Sequence, residues 1–139
     1  MASLFSTKNE KPAQRKSYQR ENELRVKRDT RQAVILRTIT IEIPDAVRKV
    51  KSQSSRDPNF EVTIRLDFWK KNDPFLLHDY RGLTPSETDA AVGVDIAYFH
   101  HQMAKVVNKF DQNEWEFDVG YVNKDSLIPI HIQVRKKKQ

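Results

Sequence analysis

The side chains that could carry acid–base or metal chemistry in this sequence include four histidines, at positions 78, 100, 101 and 131. His100 and His101 are neighbours in a segment predicted to be helical, where adjacent side chains point about 100° apart. One metal ion therefore cannot bind both of them from a single helix face. The His-x-x-x-His spacing, which would bring two imidazoles together on a helix, does not occur. We accordingly predict no histidine metal site.

Carboxylates are the second group with possible catalytic chemistry, because a cluster of them can bind the divalent ions that nucleases use. The candidates are Asp67, Asp73, Asp79, Glu87, Asp89 and Asp95. Glu87 and Asp89 already have a structural role, since negative charge is favourable near the N-terminus of the helix predicted there. We predict that the protein is not an enzyme and has no cofactor and no metal site. A metal-dependent nuclease is the alternative.

Composition excludes several other classes of site. The chain has 139 residues, no cysteine and three glycines. Without cysteine there is no disulfide framework, thiolate metal site or cysteine nucleophile, and three scattered glycines form no phosphate-binding loop. No apolar run approaches the ~18 residues of a membrane span, and the N-terminus lacks the apolar core of a secretory signal. We expect a soluble, intracellular (cytoplasmic) protein with no membrane partner.

The basic residues are the remaining candidates, and they are distributed unevenly along the chain. The net charge of +6 divides into +5 for residues 1–32, −3 for residues 33–134 and +4 for residues 135–139. Blocks of like charge are typical of interaction tails, and basic segments bind nucleic acid by displacing counterions without reading its sequence. The pattern therefore indicates an acidic body with a basic arm and a basic tip.

Three basic segments supply the predicted nucleic-acid contacts: the arm, residues 48–56 and the tip. The candidate residues are Arg15, Lys16, Arg20, Arg25, Lys27, Arg28, Arg31, Arg48, Lys49, Lys51, Arg56, Arg135, Lys136, Lys137 and Lys138. The polar face of the predicted sheet is a poorer surface, because Glu116 and Asp118 would repel phosphate. We expect a small, non-enzymatic protein that binds RNA or DNA through its basic termini without sequence specificity.

The charge segregation also fits a protein of another class. Residues 72–134 carry −6, so the +5 arm of one copy could dock on the acidic body of its neighbour. The alternative is therefore a structural subunit of a homo-oligomer or larger assembly, for example a virus or phage particle. Under this alternative the protein would be located in the particle.

The elements that must position these residues begin with a polar helix over residues 13–32, which contains many good helix formers. Alternating apolar residues then predict a strand over residues 33–43, ended by Pro44. A short helix follows at residues 45–51. A second strand covers residues 60–69, where Phe60, Val62 and Ile64 alternate with polar residues.

A capping box predicts the next element most sharply. Thr84 precedes Pro85, and Glu87 follows at the position from which its carboxylate can return a hydrogen bond to the cap. The helix should then extend to about residue 108, with a regular apolar stripe. Alternation over residues 115–121 and 128–134 predicts a hairpin, in which Pro129 places the last strand at a sheet edge or at a bulge.

These elements predict an α+β fold in the order β–(short α)–β–α–β–β. One long amphipathic helix would cover a mainly antiparallel four-stranded sheet in a two-layer sandwich. We divide the chain into an arm (1–32), a single domain (33–134) and a tip (135–139).

Overall fold

A single helix, α1, extends over Pro12–Gln53 in the computed structural model of the protein. The structure describes residues 12–69, 80–125 and 127–138, and side chains from residue 16 onward. The other elements are β1 (Glu61–Arg65), a 3-10 turn (Asp67–Trp69), α2 (Pro85–Val107), β2 (Trp115–Tyr121) and β3 (Pro129–Lys136). The α+β class is therefore right, but among the described residues two helices and a three-stranded antiparallel sheet replace the predicted four-stranded sheet with one long helix.

The predicted strand over residues 33–43 is wrong because its apolar residues also fit a helix. Ile35, Ile39 and Ile43 recur every four residues, which aligns them on one helical face as well as on one strand face. All three are fully buried, whereas Ile41, which a strand would place beside them, is 49% exposed. The exposure of Ile41 therefore shows that this segment is a helix and not a strand.

Pro44 lies inside α1 rather than at the end of a strand. A proline within a helix removes one backbone hydrogen bond at a cost of about 3 kcal/mol. Buried residues on both sides of it, Ile43 and then Ala46, Val47 and Val50, pack into the core and offset this cost. The helix also continues through residue 32, and the division of the chain into arm, domain and tip stays a prediction.

The sheet is antiparallel with the strand order β1-β3-β2. Its apolar face includes Ile64 and Ile132, which pair across β1 and β3 and join a core with residues from both helices. Its opposite face carries polar residues, among them Glu61 and Arg135 in one row. The molecule is therefore a two-layer arrangement with one polar sheet face.

The second half of the chain follows its sequence signals closely. Thr84 Oγ accepts a hydrogen bond from the Glu87 N–H at 3.1 Å, and the Glu87 carboxylate accepts one from the Thr84 N–H at 2.9 Å. This confirms the predicted capping box. The hairpin of β2 and β3 is also confirmed.

Pro129 lies in the central strand, so its predicted position at a sheet edge is wrong. The register between β2 and β3 shifts beside it, where Gly120 pairs with His131 and Tyr121 pairs with Pro129. This irregularity agrees with the other interpretation, a bulge, which accommodates a residue without an N–H. Within the described part of the chain, neither helix combines the length and the apolar composition that a membrane span needs.

The contact between Gly120 of β2 and the His131 ring of β3 can be tested by mutation. A Cβ at this position would lie 2.2 Å from Nε2 of the His131 ring, which covers the glycine from the neighbouring strand. We expect Gly120→Ala to lower the free energy of unfolding by about 1 kcal/mol or more, the usual range for an added methyl group without space. The loss should shrink in a His131→Ala background, measured by urea denaturation. Equal losses in both backgrounds would contradict this contact.

Candidate functional site

Arg20, in the first half of α1, is bound to the N-terminus of α2. Its Nε donates a hydrogen bond to Glu87 Oε2 at 3.0 Å, its Nη2 contacts the other carboxylate oxygen, and Nη2 also donates to the Gly82 carbonyl at 2.7 Å. The Arg20 guanidinium, helped by the Thr84 N–H, lowers the pKa of Glu87 to about 2. Glu87 therefore remains ionised and joins the two helices while it also caps α2.

Arg31 forms a buried ion pair one layer deeper. Its Nε donates to Asp95 Oδ2 at 2.5 Å, and only 7% of the Arg31 side chain and none of the Asp95 side chain is exposed. The Tyr80 hydroxyl donates to the same oxygen at 2.7 Å, and the guanidinium lies 4.8 Å from the centre of the Tyr80 ring. Burial and the bond to Asp95 raise the pKa of Tyr80 well above its usual value. In this cluster Tyr80 stays protonated, and Asp95 neutralises the charge of Arg31.

This buried cluster was missed by the sequence reasoning, although both helices carry a signal for it. Arg31 continues the row of Ile35 and Ile39 at the same spacing of four, and Asp95 precedes Phe99 by four. Two opposite charges, each in line with a buried apolar row, are the pattern expected of a core ion pair. Arg31 was instead assigned to nucleic-acid binding.

Among the described side chains, the other basic residues of the predicted arm lie at the surface of α1. Lys16, Arg25 and Arg28 are exposed, and Lys27 Nζ donates to the Arg81 carbonyl at 2.9 Å. The side chain of Arg15 lies outside the described residues. The arm therefore divides into an inward row, at positions 20, 27 and 31, and an outward set.

The middle basic segment covers the end of α1 and the turn after it. Arg48 forms an ion pair with Asp45 of its own helix. Lys49, Lys51 and Arg56 are exposed. Arg56 lies in the turn that leads towards β1, where its N–H donates to the Gln53 carbonyl.

Arg135 lies on the polar sheet face among three carboxylates. It pairs with Glu61 of β1 at 3.6 Å and with Glu116 of β2 at 3.2 Å, and it also contacts Asp118. The acids that were expected to repel phosphate from this face thus bind a neighbouring arginine. Arg135 is consequently less available to an external phosphate than the lysines that follow it.

The three lysines after Arg135 line a groove at the end of the sheet. The groove has a volume of about 700 Å³, and the middle basic segment contributes the neutral residue Ser54 to its lining. Its lining, which we call the lysine groove, consists of Ser54, Pro58, Asn59, Asp111, Asn113, Glu114, Lys136, Lys137 and Lys138. Lys136 is 4.0 Å from Glu114 and lies over the Trp115 ring, whereas Lys137 and Lys138 are exposed.

The candidate metal ligands are dispersed. In the part of the chain that the structure describes, no three histidines or carboxylates come together in a way that could hold a metal ion. His100 packs against Phe99 and Tyr121, and His131 covers Gly120. His78, Asp73 and Asp79 lie outside the described residues. Of the other carboxylates, Glu87 and Asp95 are bound by the arginines of α1.

Comparisons of this chain with protein-family models, with curated proteins and with solved structures found no match.

Proposed function

We propose that this protein binds RNA or DNA without sequence preference through the lysine groove. The observation that carries the proposal is the meeting of Lys136, Lys137 and Lys138 with Ser54 and Asn59 in one groove. These residues are far apart in the sequence, and the fold places them together beside the turn that holds Arg56. The groove thus combines charge with neutral hydrogen-bonding groups.

The chemistry of the lining suits a phosphate backbone. Lysine ammonium groups neutralise phosphates and release their counterions, and serine and asparagine side chains are common donors to phosphate oxygens. Contacts to phosphate carry no sequence information of their own. Binding of this kind is therefore independent of sequence and strongly dependent on salt.

The carboxylates in the groove restrict where phosphate can bind. Asp111 accepts a hydrogen bond from the Asn113 N–H at 2.9 Å. One of its carboxylate oxygens therefore stabilises the local turn. Glu114 lies near Lys136. Lys137 and Lys138, which have no acidic partner among the described residues, are the two positions where we expect phosphate to make its main contacts.

Carboxylate contacts make three of the predicted contact residues less available to phosphate than the lysines of the groove. Arg20 and Arg31 are bound to Glu87 and Asp95, and Arg135 is bound to three acids. Each would have to give up a carboxylate partner before it could bind phosphate. Lys137 and Lys138, which have no acidic partner among the described residues, require no such exchange.

A charge-reversal pair tests this proposal directly. We expect Lys137→Glu with Lys138→Glu to weaken binding to single- and double-stranded RNA and DNA, and to reduce the slope of log affinity against log salt by about two. Fluorescence anisotropy with labelled oligonucleotides of mixed sequence, over a salt series, measures both quantities. Affinity and salt slope should both fall because the variant loses two contacts to phosphate.

The matched control is Lys105→Glu with Lys109→Glu, which makes the same change of net charge on exposed residues at the end of α2. We expect this control to keep most of the affinity and most of the salt slope. Equal weakening by the two pairs would mean that only net charge matters and that the groove is not the site. Absence of salt-dependent binding by the unaltered protein would overturn the proposal altogether.

The same contacts argue against an assembly in which the basic arm of one copy docks on the acidic body of its neighbour. The arm was proposed to dock on the acidic body of a neighbouring copy, but Glu87 and Asp95 already bind Arg20 and Arg31 of their own chain. Docking in trans would have to displace these pairs. We therefore place nucleic-acid binding first.

A further inference from the structure

The outward face of α1 presents a mixture of apolar, small and charged residues. A shallow groove along this face has Asp29 and Arg37 among its six lining residues. The other four are Val26, Thr30, Ala33 and Val34. We call these six residues the outer stripe; the groove that they form has a volume of about 550 Å³.

Apart from Val34, the outer stripe is exposed, and its residues are regularly spaced. Val26 is 54% exposed, and Ile41, farther along α1, is 49% exposed. Positions 26, 30, 33 and 37 follow the alternating spacing of four and three that two packed helices share. The described residues that line the groove all belong to α1. Val34, at its margin, is half-buried and packs against the core, whereas the other five lining residues are exposed.

The two charges of the outer stripe are placed symmetrically about a small residue. Asp29 lies four residues before Ala33, and Arg37 lies four residues after it. If two copies of α1 cross antiparallel at Ala33, Asp29 of each copy faces Arg37 of the other. The same register brings Val26 of one copy next to Thr40 of the other. The stripe is thus complementary to itself, as an interface with twofold symmetry requires.

Both charged groups are available for such pairing. Arg37 is exposed and has no ion-pair partner among the residues that the structure describes. Among the described residues, the ion-pair partner of Asp29 is its neighbour Arg28, at 3.2 Å between two exposed side chains. Exposed pairs of this kind are weak. Ala33 at the crossing point allows the two helices to approach closely.

We propose that the outer stripe binds a second copy of this chain, with the two α1 helices antiparallel and crossing at Ala33. The residues from 26 to 41 provide a contact about 23 Å long. The dimer would leave the lysine groove out of the contact, because no residue of that groove belongs to the stripe. This proposal is therefore independent of nucleic-acid binding.

The symmetry of the proposed pairs gives a sharp test with the full chain. Asp29→Arg places two arginines opposite each other at both ends of the contact, and Arg37→Asp places two aspartates there. We expect each variant alone to raise the dimer dissociation constant about tenfold. A mixture of the two variants restores an acid–base pair at both ends, so it should form mixed dimers about as tight as those of the unaltered protein.

Sedimentation equilibrium of each protein and of the mixture measures these constants, and circular dichroism verifies that the variants are folded. Asp89→Arg and Lys105→Asp, on exposed positions of α2, are matched controls that should leave self-association unchanged. The proposal is overturned if the unaltered protein is monomeric, if the α2 controls weaken the dimer equally, or if mixing the α1 variants restores nothing. Weakening of each variant alone, together with restoration by mixing, supports the antiparallel register over a parallel one, in which each variant alone would exchange one like-charge pair for another.

Discussion

Asp95→Ala should lower the free energy of unfolding by about 3–5 kcal/mol, the usual cost of removing one partner of a buried ion pair. The substitution leaves the guanidinium of Arg31, which is only 7% exposed, without the carboxylate that neutralises it. It also removes the acceptor of the Tyr80 hydroxyl. Urea denaturation followed by circular dichroism measures the loss.

The matched control for this variant is Asp89→Ala, the same change on the same helix at an exposed position. We expect a loss of no more than about 0.5 kcal/mol there. Adding Arg31→Met to Asp95→Ala should recover part of the stability, because the buried guanidinium that has lost Asp95 is then absent. Similar losses for Asp95→Ala and Asp89→Ala would show that the ion pair is not formed in solution.

Ile39→Ala and Ile41→Ala should differ by several kcal/mol although the chemical change is identical. Ile39 is fully buried, so its truncation should cost about 2–5 kcal/mol. Ile41 is 49% exposed, and its truncation should change stability by about 0.5 kcal/mol or less. The same denaturation experiment measures both.

This pair also distinguishes the helix from the strand that the alternation suggested. In a strand, positions 39 and 41 share a face, and both truncations would be costly. In a helix they point about 200° apart, so only one of them can face the core. A large loss at position 41 would contradict the helix over this segment.

The second half of the fold was accessible from sequence because its signals are local. The capping box at Thr84 involves residues three apart, and the hairpin joins two strands that are near in sequence. The first half was misassigned because a spacing of four satisfies both a strand and a helix, as Ile35, Ile39 and Ile43 show. Only packing against the sheet selects between the two.

The candidate sites depended on contacts that no local pattern contains. Lys136 and Ser54 are more than eighty residues apart in the chain, yet they line one groove. The pairing of Arg31 with Asp95 likewise requires two helices to meet at a particular rotation. Charge blocks therefore indicated which residues are basic but could not show which of them are already bound.

The strand order has a consequence for the way in which the protein is made. β3 is the last of the three strands in sequence and the middle one in space, so β1 and β2 have no strand partner until residues 129–136 have been synthesised. On the ribosome, a helix such as α1 can form early, whereas the sheet must wait for the end of this segment. Completion of the core is therefore a late event of synthesis, and a chain interrupted before residue 129 exposes the apolar faces of both outer strands.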